Sequence, residues 1–243
     1  MGIDWQAYPN AKSAAEACAG FIVARIEEAL AGNEHASLAI SGGSTPRLMF
    51  EALAVRRFPW PRVHLFWVDE RAVPPTDPQS NYKLAAETLL IPAAVPQRNV
   101  HRIQAELMPD VAARRYADDV RDFFGLEPGE MPHFDVMHRG IGPDAHTASL
   151  FPGEPLIDDR EGIAAAVRVE KLAQWRITLL PGVLLAARHT VMLVAGADKA
   201  EAVRAVFHET CEPIRYPAQL ACTHGRGVTW FLDTAAARLV AAD

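Results

Sequence analysis

The chain has 243 residues, of which 50% are hydrophobic, so it is long enough to bury a large core. Its net charge of -6 and the absence of any block of five like charges argue against nucleic acid or an anionic membrane as the main partner. Three scattered cysteines without a CxxC pair, no apolar run of roughly 20 residues and no visible signal peptide lead us to expect a cytoplasmic protein.

The first predicted element is a helix that begins near Ser13. Ser13 and Glu16 have the spacing of a capping box, and apolar residues recur at helical spacing over residues 18–29. Gly32 and Asn33 then end the pattern.

Four short apolar runs follow, and each leads into a polar cluster. The runs cover residues 37–40, 63–68, 134–137 and 190–194, and helical patterns between them cover 81–90, 111–124 and 201–207. Continuous apolar strands are typical of a parallel sheet that is buried on both faces. We therefore predict one α/β domain over residues 1–243, with a mainly parallel, Rossmann-like central sheet and helices on both faces.

The four polar clusters are expected at one edge of that sheet. In open parallel sheets, ligands bind beyond the carboxyl ends of the strands, which is where all four clusters would lie. We interpret the clusters as the rim of one site, with ordinary polar strand-to-helix loops as the alternative.

The cluster after the first run is interpreted as a phosphate-binding loop formed by Gly42, Gly43, Ser44 and Thr45. Glycine lets the backbone approach an anion closely, Thr45 can act as a helix N-cap, and Pro46 suits a first helical turn. A helix N-terminus offers free N–H donors and a positive dipole end. The segment matches neither the P-loop nor the dinucleotide fingerprint, and a plain glycine turn is the alternative.

Two further clusters contain cations that could bind the same anion. Arg71 can grip a phosphate with its planar guanidinium, and Asp69 can orient it or accept from a sugar hydroxyl. Lys199 lies at the start of a helix that Asp198 and Glu201 are predicted to cap, where a cation opposes the helix dipole unless an anion binds. A surface ion pair and a solvated lysine are the alternatives.

His146 follows Asp144 by two residues in a glycine-rich loop. A neutral imidazole can take a proton from water, and a nearby carboxylate can fix its tautomer and stabilise the imidazolium. We therefore predict His146 as general base and Asp144 as its partner, against a structural or exposed histidine. Without a Gly-x-Ser-x-Gly motif or a metal-ligand pair, we expect direct attack by water and no catalytic metal.

Taken together, these segments resemble the 6-phosphogluconolactonase family. The matching stretches run in order from about residue 37 to the end of the chain and are 41–46, 69–71, 80–82, 140–153, 176–179, 196–199, 213–219 and 229–233. The run His-Thr-Ala-Ser-Leu-Phe-Pro-Gly at 146–153 is the most specific of them.

The resemblance implies an α/β domain related to sugar-phosphate isomerases and deaminases. It implies hydrolysis of 6-phosphoglucono-δ-lactone in the pentose phosphate pathway without a cofactor, by a monomer or small homo-oligomer whose partner is the sugar-phosphate lactone. It strengthens the roles of His146, Arg71 and Lys199, and it adds Arg176, which matches a family position and is counted among the substrate-binding residues.

The sequence also departs from the family pattern. Ala145 stands where glycine is usual, and it would be strained if this position needs a positive φ. His138 and Arg139 interrupt an otherwise apolar strand. A deaminase or isomerase and a non-catalytic sugar-phosphate sensor remain alternatives. The deaminases usually carry a glutamate five residues after the matching histidine, where this chain has Phe151, and the retained Asp-His pair disfavours a sensor.

Overall fold

The structure is a computed structural model that describes residues 3–223 and 227–240. Its strands, in chain order, are β1 (Asp4–Tyr8), β2 (Ala36–Ile40), β3 (Val63–Trp67), β4 (Asp69–Arg71), β5 (Val100–His101), β6 (Val136–Arg139), β7 (Ala164–Val169), β8 (Gln174–Leu179), β9 (His189–Val194) and β10 (Val228–Asp233). Its α-helices are α1 (Ala11–Gly32), α2 (Ser44–Ala54), α3 (Asn81–Ala85), α4 (Pro109–Phe124), α5 (Pro181–Ala186), α6 (Ala200–His208) and α7 (Leu220–Thr223).

The central sheet has seven strands in the order β1-β10-β9-β6-β2-β3-β5, and every neighbouring pair is parallel. The four strands that were predicted to lead into polar clusters, β2, β3, β6 and β9, lie side by side within it. Because parallel strands end at the same edge, the loops that follow these four strands converge. The predicted mainly parallel sheet is confirmed.

Helices cover both faces of this sheet. Along a strand, successive side chains point to opposite faces. Trp230 and Leu232 of β10 belong to the hydrophobic cluster that contains Val203 of α6. Phe231, between them, belongs to the larger cluster that contains Ile22 of α1. The near-continuous apolar character of the strands therefore reflects burial on both sides, as the sequence predicted.

A second, three-stranded antiparallel sheet, in the order β4-β8-β7, was not predicted. Only Val68 separates β3 from β4, and its backbone joins both layers, because its N–H bonds Ile40 O (2.9 Å) and its carbonyl accepts from Leu179 N (2.8 Å). In this small sheet Arg71 of β4 is the register partner of Arg176 of β8. This pairing brings together two arginines that are distant in sequence.

The predicted start of the first helix is wrong. The N-cap of α1 is Asn10, whose side chain accepts from Ser13 N (2.9 Å), while Ser13 Oγ accepts from Asn10 N (3.2 Å). Ser13 is therefore the third helical residue and completes a capping box that begins earlier. The amide oxygen of asparagine satisfies a first-turn N–H from outside the helix, which places the N-cap three residues before Ser13.

The caps predicted for the two later helices are also wrong. Helix α2 begins at Ser44 with Gly43 as its N-cap, so Thr45 is already helical and caps nothing. Helix α6 has Lys199 as its N-cap without a side-chain hydrogen bond, because Asp198 lies in the preceding 3₁₀ turn and pairs with Lys199 instead. In neither helix does the N-cap side chain accept a hydrogen bond from the first-turn backbone N–H groups.

Among the described residues, no helix has the combination of length and apolar character needed to cross a bilayer. Cys18 is buried and Cys211 is exposed, both as free thiols, while the side chain of Cys222 lies outside the described part of the chain. The helical pattern predicted over 81–90 is α3 followed by a π-helical turn, Ala86–Leu90.

Replacing Tyr116 with phenylalanine should destabilise the fold by about 1–3 kcal/mol, because two buried polar groups would lose their partner. The Tyr116 hydroxyl of α4 accepts from Trp67 N (2.8 Å) and donates to Trp67 O (2.6 Å), which closes the carboxyl end of β3. Urea denaturation measures the change. Tyr8→Phe is the matched control, since the Tyr8 hydroxyl donates to the side chain of Gln6 at the surface. Equal stability of the two variants would refute this prediction.

Candidate active site

A cavity of about 240 Å³ opens at the carboxyl ends of the four adjacent strands. Its lining contains nearly all of the site residues predicted from the sequence, namely Gly42, Gly43, Ser44, Thr45, Asp69, Arg71, His146, Arg176 and Lys199. Asp144 is the exception, because it lies beside His146 and lines the neighbouring groove. The structure thus brings the four predicted polar clusters together at one place.

The wall formed by Gly42, Gly43 and the start of α2 presents backbone rather than side chains to the cavity. A Cβ at residue 42 would overlap the side chain of Asn81, so only glycine fits there. Gly43 has φ 134°, which L side chains rarely adopt. Since no side chain caps α2, the N–H groups of Ser44 and Thr45 and the positive end of the helix dipole can face an anion.

Glu70, which was not predicted as a site residue, organises the segment between β4 and α3. Its buried carboxylate accepts from the backbone N–H groups of Arg71 (2.8 Å), Asn81 (2.8 Å) and Tyr82 (2.7 Å), and from Ser80 Oγ (3.1 Å). Burial raises the pKa of Glu70, and the backbone hydrogen bonds only partly oppose this shift. One side chain therefore sets the positions of the residues around it.

Arg71 is held in a fixed orientation at the cavity. Its Nη1 donates to Gln79 O (2.8 Å) and to Asn81 Oδ1, and Asn81 Nδ2 in turn donates to Asp69 O (2.9 Å). None of the hydrogen bonds formed among the described residues uses Arg71 Nη2. A guanidinium oriented in this way retains donors for a second, anionic partner.

Arg176 increases the positive charge of this wall. It is buried, and its Nη1 lies 4.0 Å from Asp69 Oδ2, which also accepts from Ser149 Oγ (2.6 Å). Burial lowers the pKa of Arg176, Asp69 opposes this shift, and the charge of Arg71 adds to it. Asp69 thus offsets only part of the positive charge of this wall, and a bound anion would relieve the repulsion between Arg71 and Arg176.

Lys199 adds a third cation to the lining. It is mostly buried, at 22% side-chain exposure, and its Nζ lies 3.1 Å from Asp198 Oδ2. As the N-cap of α6 it places a positive charge at the positive end of the helix dipole, which is unfavourable unless an anion binds nearby.

The loop that carries His146 is closed by its own hydrogen bonds. Gly142 N donates to His146 O (2.9 Å), and Ala145 N donates to Gly142 O (3.0 Å). A Cβ at residue 142 would overlap the imidazole of His146, which explains the glycine. Ala145 has φ 63°, so the left-handed conformation that the family's usual glycine suggested is present here with an alanine.

His146 and Asp144 form the predicted pair, with Nδ1 and Oδ1 separated by 2.5 Å. Burial raises the pKa of Asp144, but hydrogen bonds from His146 and Lys171 outweigh it and bring the pKa well below its usual value. A carboxylate that accepts from Nδ1 favours the tautomer with its proton on that atom. The other ring nitrogen, Nε2, is then free to accept a proton.

Two contacts of this pair were not predicted from the sequence. Phe151 stacks on the His146 ring, with centroids 4.1 Å apart and an interplanar angle of 27°. Lys171 donates to Asp144 Oδ2 although the two residues are 27 positions apart. Phe151 belongs to the most specific family run, so its place near His146 could have been suspected. No sequence signal pointed to Lys171.

The other histidines near this loop do not join it in a metal site. His133 bonds Ala186 O (2.8 Å), and His138 is buried next to Ser41 N (3.3 Å). Burial lowers the pKa of His138 to about 3. Among the described residues, no group of three or more His, Cys, Asp or Glu side chains is arranged to hold a metal ion.

Comparison with known proteins decides the family. The model of the family described as glucosamine-6-phosphate isomerases/6-phosphogluconolactonase matches residues 9–230. The chain belongs to this family. The resemblance seen in the sequence motifs is thereby confirmed over most of the chain.

Individual members of the family agree with this assignment. The 6-phosphogluconolactonase of Nostoc sp. is 35% identical over 216 residues, which cover 88% of this chain and 89% of the relative. A crystal structure of a devB protein is 33% identical, with a TM-score of 0.86 and coverage of 97% of this chain and 98% of the other. The 6-phosphogluconolactonase of Trypanosoma brucei is 25% identical, with a TM-score of 0.85 and 98% of each chain covered.

Ala145→Gly should stabilise the protein by about 0.5–1 kcal/mol. Relief of the left-handed strain, about 1–2 kcal/mol, exceeds the entropy that glycine adds to the unfolded chain. Chemical denaturation measures the difference. Ala17→Gly within helix α1 is the control and should cost about 1 kcal/mol. A loss of stability in Ala145→Gly would show that the loop does not strain this alanine.

Proposed function

We propose that this protein is a 6-phosphogluconolactonase, which hydrolyses 6-phosphoglucono-δ-lactone to 6-phosphogluconate in the pentose phosphate pathway. The observation that carries the proposal is the Asp144-bound imidazole of His146, which lines the same cavity as Arg71, Arg176 and Lys199. The relatives named 6-phosphogluconolactonase support it over most of the chain.

The phosphate of the substrate binds at the cationic end of the cavity. The N–H groups of Ser44 and Thr45, the Arg71 guanidinium and the Lys199 ammonium supply the donors, and Arg176 adds charge behind them. Binding energy from this remote group holds the lactone carbonyl in position for attack. The cavity draws on residues between 41 and 199, which supports the single domain that we infer for residues 1–243.

His146 activates the attacking water. Nε2 takes a proton as the water oxygen bonds to C1, and Asp144 stabilises the imidazolium that forms. The bond between C1 and the ring oxygen then breaks, and the imidazolium returns the proton to that oxygen. General-base catalysis typically contributes about 10²–10⁴-fold, and a lactone needs no covalent nucleophile because it is already reactive towards water.

The family also includes sugar-phosphate isomerases, so a deaminase or isomerase is the main competing function. Phe151 disfavours it. At the position where the deaminases usually carry a glutamate, this chain places an aromatic ring stacked on His146. Release of ammonia from glucosamine 6-phosphate would favour the deaminase, and ligand binding without turnover of any lactone would favour a sensor.

His146→Ala should lower the kcat of lactone hydrolysis at least tenfold, because the attacking water loses its base, while KM changes little. The assay follows 6-phosphogluconate formation and is corrected for spontaneous ring opening. His133→Ala, at an exposed histidine whose ring contacts the backbone carbonyl of Ala186, is the control and should keep full activity. Unchanged kcat in His146→Ala would reject the base.

Arg71→Ala should act mainly on substrate binding. Loss of a charged hydrogen bond to phosphate, about 1.5–3 kcal/mol, corresponds to an increase in KM of roughly 10–100-fold. The same assay measures KM, and Arg57→Ala at an exposed arginine is the control. A normal KM would exclude Arg71 from the phosphate site.

A further inference from the structure

Lys171 lies at the turn between β7 and β8, in a single 3₁₀ turn that Ala173 ends in a left-handed conformation. From there its Nζ reaches Asp144 Oδ2, while Asp144 Oδ1 faces His146 Nδ1 at 2.5 Å. Oδ1 also accepts from His146 N (3.3 Å), so the carboxylate turns one oxygen towards His146 and the other towards Lys171. Its rotation about the last side-chain bond is restricted, which fixes the oxygen that meets the imidazole.

A second contact keeps Lys171 in this place. Its Nζ lies 4.5 Å from the centroid of the Phe151 ring, the same ring on which His146 stacks. An ammonium over an aromatic face is attracted by the ring quadrupole. Lys171 is still 52% exposed, and ion pairs at such positions add little stability. Its effect should therefore be on the geometry and charge of the Asp144–His146 pair.

We propose that Lys171 is a positioning residue of this active site, which orients the Asp144 carboxylate towards His146 and offsets its negative charge. The proposal rests on the proposed lactonase function. A lone carboxylate next to an imidazole favours the protonated ring, which cannot accept a proton from water. The Lys171 ammonium donates to the other oxygen of this carboxylate and offsets part of its negative charge, while the carboxylate still fixes the tautomer.

The other charged residues near His146 stay unchanged when Lys171 is substituted. Arg71, Arg176, Lys199 and Asp69 line the same cavity, and Arg176 also lies 5.6 Å from the centroid of Phe151. None of these residues contacts Lys171 in the described part of the chain. A change made at Lys171 therefore reports on the Asp144–His146 pair.

The test compares Lys171→Met, which removes the charge, with Lys171→Arg, which keeps it. The dependence of kcat/KM on pH is measured from pH 5 to 9. In Lys171→Met the acid limb should move up by about 0.5–1 pH unit, with kcat reduced roughly three- to tenfold at pH 6. KM should change less than twofold, and Lys171→Arg should follow the wild type. Arg168→Met is the matched control, since Arg168 lies on the same hairpin and pairs with Glu170.

Three outcomes would overturn the proposal. They are an acid limb that does not move in Lys171→Met, an increase in KM with kcat unchanged, and an equal defect in Lys171→Arg. A protein without lactonase activity would instead refute the proposed function. In that case NMR titration of the His146 ring, assigned by its absence in His146→Ala, still tests Lys171. A midpoint at higher pH in Lys171→Met supports the positioning role, and an unchanged midpoint refutes it.

Discussion

The site depends on the parallel pairing of four adjacent strands, β9, β6, β2 and β3. Their carboxyl ends share one edge, so the loops that follow them converge although they are far apart in sequence. The register places Ile40 beside Trp67 and Arg139 beside Met192, which brings the ends of neighbouring strands to within two residues of one another. Reversal of any one of these strands would move its loop to the opposite edge and remove its residues from the cavity.

Charge divides this cavity into two ends. Arg71, Arg176 and Lys199 supply three cations around a single lining carboxylate, Asp69. Clustering of this kind is unfavourable in the free protein, and it is offset when an anion binds. His146 also lines this cavity, and its partner Asp144, which lines the neighbouring groove, accepts both from His146 and from Lys171. In the proposed mechanism, phosphate binding and proton transfer therefore take place in different electrostatic environments.

The departures from the family pattern leave this arrangement intact. His138 and Arg139 are fully buried, yet they keep the pairing of β6 with β9. Burial lowers the pKa of His138 to about 3, so it remains neutral within the sheet at ordinary pH. Ala145 adopts the left-handed conformation with φ 63°, and its carbonyl accepts from Ala218 N (2.9 Å). The loop therefore keeps the geometry at His146 at a local cost in strain.

The sequence by itself determined the parallel sheet, the loops that form the cavity and the Asp144–His146 pair. Continuous apolar runs indicate strands that are buried on both faces. Asp144 and His146 lie in one short loop, so their contact does not depend on a distant segment. Only the tertiary structure decided the antiparallel sheet that pairs Arg71 with Arg176, the hydrogen bonds of Glu70 and the contact of Lys171 with Asp144. Hydrophobic periodicity shows which faces are buried, but it does not show which distant segments are neighbours. Helix caps were mispredicted because several nearby polar side chains compete for the same N–H groups, and backbone geometry selects among them.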